Sequence, residues 1–315
     1  MSSGSSTPPT QIDALVVGAV GIDTVVYPPP DWSWHHSGEG TLAEVHDLVA
    51  HGGGYAARGY AALEYRTAVL GHVGRDDLGS LVRRTLEGDG IVVDGLVTSG
   101  STARSVNLMD PAGARRNFYD ARTAGASPPD TAMVTALLER SRLAHVNIPD
   151  WARHVLGPAR ERGVALVVDV QDAHGLDDEY RADFVAAADL LFVSADRLDD
   201  PEAYARGALA MGRAQAVVVG MGSRGCLLVP RGEPTRLHPA LGTLPGGSGT
   251  GGAARVVDTN GAGDSLAVGV ASAHLLDGQP LDAAVRRGLL CARWCCTLRG
   301  TSDGLATRVQ VDAWG

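Results

Sequence analysis

Asp258-Thr259-Asn260-Gly261-Ala262-Gly263-Asp264 stands late in the chain, directly before an apolar stretch of helical character. Three small residues in a row let the backbone curl. Consecutive N–H groups then point into one concavity at a helix start, where the helix dipole favours an anion. An acid placed immediately after such a nest can serve as a base beside it. A cradle of this kind with an adjoining carboxylate is what moving a phosphoryl group onto a hydroxyl requires: donors for the charge that develops on phosphate, and an acceptor for the hydroxyl proton. The same seven residues also read as a Gly-rich turn with an Asp capping a helix, so the rest of the chain has to decide.

At 315 residues the chain exceeds the usual size of a single core, although α/β folds of this length are often one large domain with an appendage. The 27 basic residues against 36 acidic ones give a net charge of −9, which argues against nucleic acid as a partner. Every basic residue is Arg; the sequence contains no Lys. That removes the Walker-type phosphate-binding lysine and Schiff-base lysine chemistry together. Cys226, Cys291, Cys295 and Cys296 lack Cys-x-x-Cys spacing and read as buried reduced thiols rather than zinc ligands. His35, His36 and His51 read as polar surface or lid residues rather than a metal set. Residues 1–10 are rich in Ser, Gly and Pro without a basic region or apolar core, which is the pattern of a disordered tail and not of a signal peptide. No apolar run reaches membrane-spanning length. The expectation is a soluble, cytoplasmic protein with no membrane partner.

The apolar run 12–17 ends at Gly18 and predicts a buried first strand with a turn after it. Gly18 to Gly21 form Gly-x-x-Gly, which lacks the middle glycine of the dinucleotide fingerprint. Residues 24–51 hold three successive prolines, Trp32, Trp34 and several His, and predict an extended excursion or a small lid sheet. Further on, the pattern predicts a helix over 55–64, a strand over 66–71, a helix over 78–86 and a strand over 91–96. A hairpin of 104–110 with 114–120 follows across Pro111-Ala112-Gly113. From 131 the alternation is regular, with helices at 131–140, 151–162, 181–187 and 202–211 and strands at 143–148, 165–170, 190–194 and 216–219. This is the βα rhythm of a mostly parallel sheet flanked by helices. Residues 226–229 add an antiparallel strand, 242–252 form a mobile Gly/Ser/Thr loop, and helices over 264–276 and 281–298 close the chain. With no internal repeat and no linker, residues 11–315 read as one α/β domain with lid segments at about 24–50 and 101–122.

Five elements in this order carry a resemblance over nearly the whole chain. They are Gly18 to Asp23, Gly53-Gly54-Tyr55-Ala56-Ala57, Gly71-His72-Val73-Gly74-Arg75-Asp76-Asp77-Leu78-Gly79, Gly222-Ser223-Arg224-Gly225, and the opening heptad. The sequence resembles the ribokinase-like (PfkB) family of carbohydrate and nucleoside kinases. The resemblance implies a ribokinase-like α/β fold and in-line transfer of the ATP γ-phosphoryl group to a hydroxyl of a sugar or sugar derivative, a primary hydroxymethyl above all. It casts Asp264 as the base, and Gly261, Ala262 and Gly263 as an anion hole that needs no lysine. Asp258 and Thr259 are cast as the loop entry that helps hold a monovalent cation, K+ being the candidate. Asp23 would grip substrate hydroxyls, and Gly53 and Gly54 would let substrate approach the backbone. Arg58 stands where many relatives place a sugar-touching asparagine; it points either to an anionic substrate or to solvent. Asn107 and the run 115–119 would complete the lid and pocket, with Arg115 and Arg116 facing solvent.

Gly222 and Gly225 would lie against ATP, while Gly220 occupies a place usually held by threonine. Ser194 and Arg197 stand where the family often carries the Asn and Glu that organise magnesium and phosphate, and Mg2+ would arrive with ATP. Lid closure would exclude water, and relatives often dimerise through the lid. Two alternatives stay open. Asn260 also fits a nucleoside kinase, and the changes at Gly220, Ser194 and Arg197 fit a non-catalytic sugar- or nucleotide-binding regulator, against which the intact Asp264 and anion hole argue.

Overall fold

Unbroken runs of Val, Ile, Leu and Ala have to be buried on both faces, and their order along the chain dictates the architecture. A computed structural model describes residues 11–30, 32, 40–98, 100–109, 115–120, 126–242, 244 and 256–314. The tail 1–10, Trp34, His35, His36, the Pro111-Ala112-Gly113 turn and most of the 242–252 loop lie outside these residues. The elements run β1 (Ile12–Val17), β2 (Gly21–Tyr27), β3 (Glu44–Ala50), α1 (His51–Ala62), β4 (Thr67–Val73), α2 (Asp77–Gly88), β5 (Val92–Thr98), β6 (Ala103–Met109) and β7 (Arg115–Tyr119). They continue with α3 (Thr131–Leu138), β8 (Ser141–Val146), α4 (Arg153–Glu161), β9 (Ala165–Asp172), α5 (Ala182–Ala187), β10 (Leu190–Ser194) and α6 (Pro201–Met211). The last are β11 (Ala216–Gly220), β12 (Cys226–Pro230), β13 (Arg236–His238), α7 (Ala262–Ala271), α8 (Leu281–Cys295) and α9 (Arg308–Ala313).

Nine strands form one sheet in the order β13-β12-β11-β10-β9-β8-β1-β4-β5, parallel except where β12 meets β11 and β13. Helices cover both faces. One apolar layer includes residues of α1, α2, α7 and α8, and the other residues of α3 to α6. This is the ribokinase-like α/β fold. Helix α7 lies against α8 with Gly269 facing Gly288: a Cβ at Gly269 would stand 2.7 Å from the Gly288 Cα, so the two backbones touch because neither residue has a side chain. The helix expected through 276 changes at Ser272 to a π-helical turn, Ser272–Leu276, where the Ser272 hydroxyl donates back to the Gly269 carbonyl.

The segments read as an excursion and a hairpin assemble a second sheet, in the order β3-β2-β6-β7, with β2 and β6 parallel. Its register matters for the site. Asp23 pairs with Ser105 and Ser105 with Tyr119; Val25 pairs with Asn107 and Asn107 with Asn117; Met109 pairs with Arg115. Since side chains alternate along a strand, Asp23, Ser105, Asn107, Asn117, Tyr119 and Arg115 share one face. Val26, Val45, Val106, Leu108 and Phe118 share the other. A knot at the Gly71–Gly79 element holds the entry to β6. Asp76 caps α2 through the Gly79 N–H and accepts from both the Thr102 hydroxyl (2.5 Å) and the Thr102 N–H (3.0 Å).

Candidate active site

The heptad turns into the start of α7, where its composition implies a nest. Gly261 sits at φ 72°, and a Cβ there would lie 2.4 Å from the Tyr55 ring, so only glycine meets both constraints. α7 begins at Ala262, which puts Asp264 in its first turn, and Gly263 is exposed at the mouth. The Asp264 side chain is enclosed on most sides while part of the residue stays open to solvent. Desolvation raises its pKa well above the usual carboxylate range, and the negative charge of Asp169 on β9 adds to this; the Arg115 guanidinium opposes both. Asp169 is itself raised to about 6 by burial, against a hydrogen bond from the Gln171 N–H and with repulsion from Asp172.

Asp258 is fully buried and both of its oxygens are engaged. One accepts from the Tyr27 hydroxyl at 2.5 Å; the other accepts from the Asn260 N–H (2.7 Å) and from the Asn260 amide (2.8 Å). The Tyr27 oxygen in turn accepts from the Gly300 N–H. β2, the heptad and the C-terminal segment are thereby tied at one point. The Thr259 carbonyl accepts from the Ala262 N–H and from Arg115 Nη1. The Asp258 carboxylate and the Thr259 carbonyl, from which help in holding a monovalent cation is expected, are thus both hydrogen-bonded to protein groups.

Facing the nest, Asp23 is buried on β2 and accepts from the Ser105 hydroxyl at 2.7 Å. Ser105 also lies 3.2 Å from the buried Asn107 Oδ1. The charge of Asp23 is felt at Asp264, so the two acids share a cleft. His51, expected at the surface or in the lid, is instead a wall of it. Its side chain is only 10 % exposed, Nε2 lies 3.4 Å from Asp23, and the backbone adopts φ 61°, a strained conformation for a non-glycine. Asn147, just past β8, is buried between Gly18 and Gly52 with neither Oδ1 nor Nδ2 hydrogen-bonded among the described residues. Among the same residues His51 Nε2 and Asn117 Oδ1 also lack a hydrogen-bond partner. An unpaired buried polar atom costs about 1–3 kcal/mol, a cost that a hydrogen-bonding ligand would relieve at these atoms.

Several expected contacts take a different form. Arg58 is neither in the cleft nor in solvent. Its Nε donates to Asp89 (2.7 Å) and its Nη1 to Asp303 (2.8 Å), with Ser302 and the Val49 carbonyl nearby, and its side chain is 11 % exposed. The guanidinium is consumed in anchoring α1. Gly53 packs on the chain's own backbone, where a Cβ would stand 2.7 Å from the Ala19 carbonyl; Gly54 has ordinary clearance. At the turn expected to lie against ATP, Gly222 and Gly225 have positive φ, and a Cβ on Gly225 would meet the His238 carbonyl at 2.0 Å, so backbone conformation and the end of β13 both call for glycine there. A Cβ at Gly220 would make only ordinary contacts, with Leu266 at 3.8 Å and the Val193 carbonyl at 3.9 Å. Ser194 ends β10 with its Oγ accepting from the Asp196 N–H, and Arg197 pairs with Asp172 at 2.8 Å and lies 3.3 Å from His174. An open hollow of about 600 Å³ beside this turn is lined by Met221, Ser223 and Arg224, among others, and by none of the heptad.

The structure therefore brings together Asp264, the nest, Asp258, Thr259, Asp23 and Asn107. It adds His51 and Arg115, which the sequence reading places at the surface or in the lid, and Asn147, Ser105, Asp169 and Tyr27, which the sequence alone does not single out. Strand alternation through 103–109 and 115–119 is the signal that places Ser105 and Arg115 beside Asn107. His51 and Asn147 carry no such mark. Among the described residues no helix is long and apolar enough to cross a membrane, and no group of three or more His, Cys, Asp or Glu could hold a metal ion.

A glycine-rich helix start with an acid in its first turn, and a second buried acid within its field, on this fold, is the arrangement of a phosphotransferase with an alcohol acceptor. The family described as pfkB family carbohydrate kinase matches residues 12–308, and the chain belongs to that family. It is similar to the acarbose 7(IV)-phosphotransferase of an Actinoplanes species, 32% identical over 95% of this chain and 97% of that one. It is also similar to the ATP-dependent ribose-1-phosphate kinase of Halopiger xanaduensis, 30% identical over 86% and 88% of the two chains. Among solved structures, a microbiome-derived acarbose kinase superposes with a TM-score of 0.86 at 33% identity, covering 97% of this chain and 99% of its own. Arabidopsis thaliana ribokinase complexed with ribose and ATP shares the fold, with a TM-score of 0.77 at 22% identity over 96% and 98%. The protein is an ATP-dependent carbohydrate kinase, of a family that works with ATP and a divalent metal.

Proposed function

We propose that Asp264 is the general base that takes the proton from a sugar hydroxymethyl group while that oxygen attacks the γ-phosphorus of ATP. The new P–O bond forms as the bond to the ADP oxygen breaks. The observation that carries this reading is the placement of Asp264 in the first turn of α7, at the mouth of the nest and within the field of Asp23. Its raised pKa suits a group that must accept a proton near neutrality. The N–H groups of Gly261 to Gly263 supply donors for the phosphoryl oxygens, while Asp23, with Ser105 and Asn107 behind it, holds neighbouring hydroxyls. Mg2+ is the divalent ion we assign. The desolvated Asp169, repelled by the charge of Asp172, fits a hard cation bound through phosphates and water, which would neutralise phosphate charge. K+ is the monovalent cation we place beside Asp258 and Thr259.

The acceptor is a sugar, with a nucleoside as the second reading because of Asn260. We read the four-stranded sheet as a lid over the domain, the outer face of Val26, Val45, Val106, Leu108 and Phe118 as the seat of a second copy of the chain, and the cytoplasm as its place. Sedimentation that shows only the 32.6 kDa monomer would sink the dimer. To test the function, ribose, ribose 1-phosphate, acarbose and adenosine are offered with ATP and Mg2+ to the wild type and Asp264→Asn. The expected result is turnover of a sugar, reduced about 10²–10⁴-fold in the variant. Undiminished turnover in Asp264→Asn overturns the base; phosphorylation of adenosine alone overturns the sugar.

A further inference from the structure

The chain must handle the charge of a transferring phosphoryl group without a single lysine. Its arginines near the chemistry are mostly spent: Arg58 on Asp89 and Asp303, Arg197 on Asp172, and Arg299 on Glu44. Arg115 is placed differently. It opens β7, on the cleft face of the second sheet through its pairing with Met109, and reaches across to the heptad. There Nη1 donates to the Thr259 carbonyl at 3.0 Å and lies 3.4 Å from Asn260 Oδ1. Both partners are neutral oxygens, and among the described residues no carboxylate is ion-paired with this guanidinium. Asp258 and Asp264 both feel its charge.

We propose that Arg115 is a catalytic residue, whose guanidinium contacts the oxygens of the phosphoryl group in transit and completes an anion hole otherwise made of backbone N–H groups. Hydrogen bonds from an arginine to phosphate are charge-assisted and about twice as strong as those to neutral carbonyls. Bound phosphate therefore competes well for a guanidinium now held by Thr259 and Asn260. Arg115 neither gives nor takes a proton: the hydroxyl proton goes to Asp264, the acceptor oxygen bonds phosphorus, and ADP leaves with the electron pair of the broken P–O bond. Because the cation is carried by the second sheet and the nest by α7, transfer is competent only while the two are apposed.

This inference rests on the phosphotransfer reading above, and two measurements separate the two. The first is steady-state kinetics of Arg115→Ala and Arg115→Lys with the panel sugar turned over fastest by the wild type. The expected result is a kcat about 100-fold lower for Arg115→Ala, with the sugar KM within about 3-fold and Arg115→Lys in between. An unchanged kcat, or a loss confined to the sugar KM, overturns the proposal. The second needs no acceptor: calorimetric binding of Mg-ADP with and without aluminium fluoride, which occupies the position of the transferred phosphoryl. Arg115→Ala should bind Mg-ADP within about 3-fold of wild type while losing about 100-fold for the fluoroaluminate complex. An equal fall in both would make Arg115 a fold or nucleotide residue, and no fall in either would leave it idle; either result overturns the proposal. Should wild type turn over no sugar in the panel, the acceptor reading fails while this binding arm still decides Arg115.

Discussion

In the nine-stranded sheet, β1 buries Ala14, Leu15, Val16 and Val17 completely, whereas in the four-stranded sheet four of the five residues of β7 are exposed. Both are β structure, and both contribute to one cleft. The difference is what covers them. Helices pack on both faces of the large sheet, so its strands are apolar throughout and its contribution to the site comes from strand ends and loops: Asp169, Asn147 and the heptad. In the small sheet the face turned to the body carries Asp23, Ser105 and Asn107 beside the apolar Val25, Tyr27 and Met109, so polar groups reach the cleft from along the strands rather than from their ends. Stability is concentrated in one sheet and recognition in the other.

Three experiments probe that division, in descending order of expected effect. Leu15→Ala, in the middle of the large sheet, should cost about 2–5 kcal/mol of unfolding free energy, read by denaturant titration; a loss below about 1 kcal/mol would mean that the large sheet is not the stabilising one. Next is acid sensitivity. His145 on β8 is fully buried against Tyr60, and burial lowers its pKa to about 4. The unfolded chain then binds a proton at this site that the folded chain refuses. The associated stability is complete above about pH 6.5 and is lost as the pH falls towards 4, roughly 3 kcal/mol in all. Replacing both partners, as His145→Leu with Tyr60→Phe, should flatten the stability curve in that window, and an unaltered slope would show that the body admits protons. The smallest effect is at the seam. Tyr27→Phe leaves Asp258 and the Gly300 N–H each short of a partner and should cost about 1–3 kcal/mol, together with a fall in kcat as the heptad relaxes. Loss of stability with kcat untouched would show that the two regions are not coupled through that hydroxyl.

Much of this molecule is legible from its sequence, and the reasons differ by region. The βα alternation from 131 to 220 is readable because each strand is an apolar run too short to be anything else, and the heptad because three small residues between acids have few other uses. The second sheet is harder. β2 and β3 are separated by a Pro- and Trp-containing segment, so their pairing depends on contacts distant in sequence and no local pattern declares it. Arg58 shows a different limit. A motif assigns it a position along the chain, but the direction of its side chain is decided by Asp89 and Asp303, 31 and 245 residues away. His51 and Asn147 are lone polar residues whose importance comes entirely from what surrounds Asp23. Arg115 reads as a solvent-facing residue until the register with Met109 turns it toward Thr259.

The alternation along β6 and β7 has a consequence for descent. Ser105, Asn107, Asn117 and Tyr119 can each be exchanged for another residue without disturbing the neighbours that face outward and without touching α7. If this face holds the acceptor as proposed, variation at four positions would retune which hydroxyl compound is accepted while the proposed phosphoryl-transfer residues stay unaltered. A lineage built on such a plan can change its diet one codon at a time.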